Sequence, residues 1–242
     1  MSIRQLCQLT IVLALLSLAP SAARAAVLSD LFQGASMTVD DKVFRNWTLL
    51  DLKVQNGGVA DVSQIDVAGL AGDPLNPGLQ FNAPLGTLGT PFGHIGPSSV
   101  LLRFGFTVET INGDPLIKDN SLWLTDFLFD SGPNAIIRIG ETITDASGLS
   151  LGTKSVFAVP SDTPGSGNPN HFDSANFAPQ SFIYVEKTIN IDGPGDNDGA
   201  FLLQFEQRFS QVPEPATLVL WSMSGAAAIA VTWWRKRKPR AA

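Results

Sequence analysis

Val100-Leu101-Leu102-Arg103-Phe104-Gly105-Phe106-Thr107-Val108-Glu109 is the stretch that decides the fold. Val100, Leu102, Phe104, Phe106 and Val108 share one parity, and Leu101, Arg103, Gly105, Thr107 and Glu109 the other. Successive side chains of a strand point to opposite faces, so one apolar parity predicts a half-buried antiparallel strand. The same alternation returns at Leu50, Leu52 and Val54, which interleave with Asp51 and Lys53, and at Phe201, Leu203, Phe205 and Phe209. Weaker strands are expected at 62–67, 79–82, 121–129, 135–144, 154–159 and 181–191. Turn formers separate them, including Asn56-Gly57-Gly58, Asn76-Pro77-Gly78 and Ser131-Gly132-Pro133-Asn134. The longest breaks are 160–170 and 192–199.

No window in the middle of the chain keeps a helical period, and no internal repeat is visible. Residues 28–32 could form one helical turn or a docking arm. Roughly eight to ten short strands between Gly, Pro and Asn loops predict an all-β fold, an antiparallel two-sheet sandwich, jelly-roll-like. Trp47, Trp123 and most of the 15 phenylalanines are expected to fill its core.

Both ends carry a different signal. Arg4 precedes an apolar run of roughly eleven residues over 9–19, then Pro20 and Ala23-Arg24-Ala25. That order predicts a secretory signal peptide over 1–25, cleaved between Ala25 and Ala26. The apolar run is too short to cross a hydrocarbon core of about 30 Å. At the other end, 211–240, Val212-Pro213-Glu214-Pro215 leads into an uncharged apolar run at 217–234. As a helix that run spans about 27 Å, one bilayer core. Arg235, Lys236, Arg237, Lys238 and Arg240 follow at 235–240 and would hold the C-terminus in the cytoplasm.

Between the two ends lies an ectodomain, 26–210, with a strong charge bias. Nine lysines and arginines stand against 21 acids from 26 to 212, near −12, while the tail is +5. So few cations cannot neutralise a phosphate backbone, which excludes nucleic acid as a partner. The single cysteine, Cys7, lies in the signal segment, so the ectodomain has no disulfide, thiol nucleophile or thiolate ligand.

Few residues suggest chemistry. His94 and His171 are the only histidines, and neither has a ligand partner at metal spacing. Asp192-Gly193-Pro194-Gly195-Asp196-Asn197-Asp198-Gly199 superficially suggests a calcium loop. Aligned on an EF-hand, Pro194 and Phe205 fall where oxygen ligands are needed, so that motif is rejected. Asp196 and Asp198 remain a weak calcium candidate; no other metal or cofactor is expected. There is no Gly-x-Ser-x-Gly elbow. Asp126 sits among Trp123, Phe127 and Phe129, either a buried acid or an edge-strand acid facing water. Asn46-Trp47-Thr48 matches a glycosylation sequon inside an expected strand and is read as chance.

Val212, Pro213, Glu214 and Pro215, followed at once by an apolar helix and a basic cluster, closely resemble the PEP-CTERM sorting signal of exported bacterial proteins. The resemblance implies that an exosortase recognises Pro213, Glu214 and Pro215 while the protein is held in the inner membrane. Cleavage there would pass the ectodomain to the cell surface or outside, in a Gram-negative bacterium. Residues 28–44 and Gln207-Arg208-Phe209-Ser210 resemble the start and close of PEP-CTERM ectodomains, a commoner form of which has Gly where this chain has Asp40. The implied setting is exopolysaccharide and biofilm. The leading expectation is therefore a non-enzymatic structural or adhesive envelope protein. The alternatives are a carbohydrate-binding module, which exposed clustering of Trp47, Trp123, Phe127 or Tyr184 would favour, and a two-carboxylate glycoside hydrolase.

Overall fold

The computed structural model describes residues 25–73, 75–111 and 116–212. Residues 1–24 of the expected signal segment, Pro213, Glu214, Pro215, the 217–234 run and the basic cluster Arg235 to Arg240 lie outside the described residues. Among the described residues no helix is long and apolar enough to cross a membrane.

The strand signals resolve into two antiparallel sheets. In chain order the strands are β1 (Ala26–Val27), β2 (Met37–Val39), β3 (Lys42–Gln55), β4 (Val59–Ala60), β5 (Asp66–Leu70), β6 (Gly78–Asn82) and β7 (Leu88–Thr90). They continue as β8 (Ser98–Thr110), β9 (Ile117–Phe129), β10 (Ile136–Thr144), β11 (Ser150–Ala158), β12 (Phe172–Gln180), β13 (Phe182–Gly193) and β14 (Ala200–Arg208). One short helix, α1 (Leu28–Phe32), buries Leu28 and Leu31. Sheet B runs β11-β10-β13-β8-β3-β2. In sheet A, β1-β5-β6 lead to β14, which pairs with β6 and β7 along one edge and β9 along the other; β12 lies beyond β9.

The decisive stretch lies at the centre of sheet B. Val100, Leu102, Phe104, Phe106 and Val108 are all fully buried between β13 and β3. They meet the apolar parity of sheet A, and aromatic rings fill the space. Trp47 stacks on Phe106 at 4.3 Å and 19°. Phe81 stacks on Phe205 at 4.4 Å and 7°.

Four expectations need correction. Trp123 is not core but exposed. Leu50, Leu52 and Val54 are 37–44% exposed rather than half-buried. β2 covers only Lys42 to Phe44, so the rest of β3 is a sheet edge, with bulges between Arg45 and Thr48 and between Leu49 and Asp51. The 62–67 strand begins only at Asp66. β1, β2, β4, β7 and β12 carry no strand signal in the sequence, because two or three residues are too few for a period and Phe172, Ala175 and Phe177 alternate too weakly. Asp40 takes φ +51 in the β2–β3 turn. It thus holds the left-handed conformation that a glycine would adopt more easily.

One feature of the core departs from the apolar rule. On β10, Glu141 shares the parity of Ile137, Ile139 and Ile143; on β13, Lys187 shares that of Ile183, Val185, Ile189 and Ile191. Lys154 does the same on β11 with Val156 and Ala158. Cross-strand register places Glu141 opposite both Lys154 and Lys187. The result is a Lys-Glu-Lys row inside the sandwich. Burial lowers Lys187 to a pKa of about 8 against the pull of Glu141.

Candidate functional site

The outer face of sheet A brings together what the sequence scatters. Register sets Phe172 of β12 opposite Trp123 of β9, and Trp123 opposite Glu206 of β14. Glu206 in turn stands opposite Gln80 of β6. The Trp123 and Phe172 rings meet edge to face at 5.3 Å, and the residues stay 47% and 44% exposed. Gln80 Nε2 donates to Glu206 Oε1 at 3.1 Å, and Arg208 Nη2 lies 3.3 Å from Glu206 Oε2. Alongside, Gln204 Nε2 donates to Asn82 Oδ1 at 3.0 Å.

A cleft of about 260 Å³ opens beside this pair, lined by Trp123, Leu124, Thr125, Gly165, Gly167, His171 and Glu206. Its far wall is the 160–171 loop, held in shape by Asp162. The Asp162 carboxylate accepts from Val159 N–H at 3.0 Å and from Asn168 Nδ2 at 2.9 Å. His171 closes the loop in a 3-10 turn, buried edge-on to Phe127 at 5.2 Å, with Nε2 3.4 Å from Asp162 Oδ2. His171 is thus a loop-packing histidine whose edge reaches the cleft.

The other aromatics named as possible ligand platforms lie elsewhere. Trp47 and Phe127 are buried. Tyr184 covers Gly105 on the outer face of sheet B, where an added Cβ would stand 1.9 Å from its hydroxyl. Asp126 is half-buried on β9, opposite Gln204.

The 192–199 turn ties loops together. Asp196 Oδ1 accepts from Gly96 N–H at 2.7 Å. Asp198, buried, accepts from Asn134 N–H at 3.1 Å and from Asn134 Nδ2 at 3.4 Å. Asp130 reaches into the same knot, accepting from Gly93 N–H at 2.7 Å, and backbone donors hold its carboxyl below the usual range. The carbonyl of His94 accepts from Asn197 N–H at 2.8 Å. Asp196 and Asp198 therefore serve two different loops. Among the described residues no group of three or more His, Cys, Asp or Glu is placed to hold a metal ion.

No family model matches the chain, and no curated protein does. Among solved structures it is similar to a mannan-recognising carbohydrate-binding module, TmCBM27, at 10% identity and TM-score 0.33, covering 79% of this chain and 97% of that one. A carbohydrate-binding module of the β-sandwich superfamily with promiscuous specificity gives 9% and 0.24, covering 71% and 56%. A DUF4465 family protein from Bacteroides caccae gives 11% and 0.26, covering 69% and 100%. Similarity at this level identifies neither a family nor a ligand.

Proposed function

We propose that the chain is an exported envelope or matrix protein whose jelly-roll-like sandwich binds carbohydrate on the outer face of sheet A. The observation that carries this reading is the Trp123–Phe172 pair. Two large rings left half in water beside a cleft, with a carboxylate and amides in the next strands, match what a sugar requires. The apolar C–H face of a pyranose stacks on an aromatic ring, and its hydroxyls bond to Glu206, Gln80 and their neighbours. A cross-strand aromatic pair also steadies a sheet by roughly 0.2–1 kcal/mol, but that role does not require exposure beside a cleft. The site acts by binding. Its lining supplies one carboxylate, Glu206, whereas glycoside hydrolysis uses a facing pair.

Binding is tested on the full chain produced by an export-competent host, against an array of neutral and acidic polysaccharides. Trp123→Ala should weaken binding at least tenfold, about 1.4 kcal/mol, and change unfolding stability by no more than about 1 kcal/mol. Failure of the parent protein to retain any polysaccharide, or equal retention by Trp123→Ala, would sink the reading.

The itinerary rests on residues at the two ends. The segment before Ala26 exports the chain, and the 217–234 run holds it in the inner membrane with Arg235 to Arg240 inside. An exosortase then acts at Pro213, Glu214 and Pro215, and release places the sandwich at the cell surface near exopolysaccharide. Mass spectrometry of the protein from its native host should find C-termini near Val212. Recovery of C-termini at Ala242 alone would remove the processing step.

A further inference from the structure

The buried Lys-Glu-Lys row has a fourth member that the sugar site does not use. Asn120, on β9 of sheet A, reaches across the core, and Lys154 Nζ of sheet B donates to its Oδ1. The same Nζ lies 2.6 Å from Glu141 Oε1, while Lys187 Nζ donates to Glu141 Oε2. Asn120 and Lys187 have no exposed surface, and Glu141 and Lys154 are 4% exposed.

As it stands the cluster is doubly unbalanced. Two lysines touch one carboxylate, and Asp173 and Asp119 act on Lys154 only from farther off, which leaves one cation without a contacting anion of its own where an uncompensated ion is expensive. Asn120 Nδ2 is buried with no hydrogen-bond partner, a further cost. An amine, a carboxamide and a carboxylate touching the amine are also the parts of an acyl transfer. Such a reaction would relieve both imbalances at once.

We propose that Lys154 and Asn120 join in an intramolecular amide bond between the two sheets, with Glu141 as the catalytic proton carrier. A proton first passes from Lys154 Nζ to Glu141. Burial lowers the Lys154 pKa against the raising effect of Glu141, while the two lysines hold the Glu141 carboxyl down, so the neutral pair forms transiently at the 2.6 Å contact. The neutral Nζ attacks Asn120 Cγ; the new N–C bond forms and the carbonyl electron pair moves onto Oδ1. Glu141 gives its proton to Nδ2 and takes the second proton from Nζ. The carbonyl re-forms, the Cγ–Nδ2 bond breaks, and ammonia leaves. Ammonia carries off the proton remaining on Glu141 as ammonium, so atoms and charges balance without a cofactor. Afterwards Glu141 faces only Lys187, one anion to one cation, and the orphan Nδ2 is gone. Lys187 does not compete, since its Nζ sits between Glu141 and the Phe81 and Phe205 rings, 5.9 and 5.3 Å from their centroids.

The bond would link positions 34 residues apart, one in each sheet. It would be a redox-independent staple in an ectodomain that has no cysteine.

Peptide mass spectrometry on the purified full chain tests it directly. Trypsin does not cut after an acylated lysine, so the parent protein should yield residues 119–138 joined to 139–187, lighter by one ammonia than the separate peptides. Asn120→Asp should give a linked product of identical mass, because loss of water leads to the same amide. Glu141→Gln should leave the two peptides separate. If that variant does not fold, the parent's mass alone decides. A parent protein folded by circular dichroism that yields a free 139–154 peptide and an unaltered 119–138 peptide overturns the proposal. Undiminished linkage in Glu141→Gln overturns the role given to Glu141.

Discussion

Glu141→Ala should destabilise the fold by about 3–5 kcal/mol, the cost of stripping a buried ion of its partner. Both lysines of the row would then face a core of Ile, Val and Phe without a counter-ion. Urea unfolding of the parent and variant measures the difference. Replacing the row together with Asn120 by apolar residues of similar size (Asn120→Leu, Lys154→Met, Glu141→Leu, Lys187→Met) should recover the part of the loss that comes from the unpaired charge, because such replacements are often neutral or better. A Glu141→Ala variant within about 0.5 kcal/mol of the parent would contradict this account. The pH dependence has a definite sign. Burial pushes the Glu141 carboxyl up, but Lys187 and Lys154 outweigh it and leave it below its ordinary 4.5. Its contribution is therefore complete above pH 4.5 and is lost as pH falls through the lower folded value. Lys187 drops from 10.5 to about 8. Between those values the unfolded chain binds more protons, so this lysine's contribution grows as pH rises.

Phe81→Ala is the second large effect, again about 3–5 kcal/mol. Phe81 lies flat on Phe205 and tilts against Trp47 at 6.3 Å and Phe104 at 5.9 Å. The gap it lines with Leu28, Ile65 and Leu102 holds about 10 Å³, no more than one water needs. The core has no slack to absorb a lost ring, so removal leaves a cavity rather than a collapse. Phe81→Leu keeps most of the volume and should cost less than half as much. Equal losses for Leu and Ala in thermal or urea unfolding would mean that ring geometry, not volume, sets the penalty.

The strands were legible wherever one parity is apolar and an opposing sheet covers it, as at Val100 to Val108. Leu50, Leu52 and Val54 show where that logic stops. Their alternation is genuine, but β3 continues as an open edge, and no local pattern reveals what lies opposite a strand. The aromatic site was half visible. Trp123 stood out as a large residue in a strand, yet its face follows from the register of β9 with β12 and β14, which pairs residues far apart in the chain. The Lys-Glu-Lys row did leave a signal. A charged residue stands at an apolar parity in three strands, at Glu141, Lys154 and Lys187. Alternation weighs hydrophobic positions and treats such a residue as noise, whereas a charge in that position marks a buried partner.

Sheet A has its hub in β14, the last described strand, paired on both edges to segments that precede it by many residues. A chain that emerges from its N-terminus, as in synthesis or in the export proposed above, presents β5 and β6, and later β9 and β12, as two separate ribbons. They can be joined only when residues 200–208 emerge. Closure of the sandwich thus waits for this last strand, in the slow regime expected of distant strand pairings. Until then the apolar faces of both ribbons lie open.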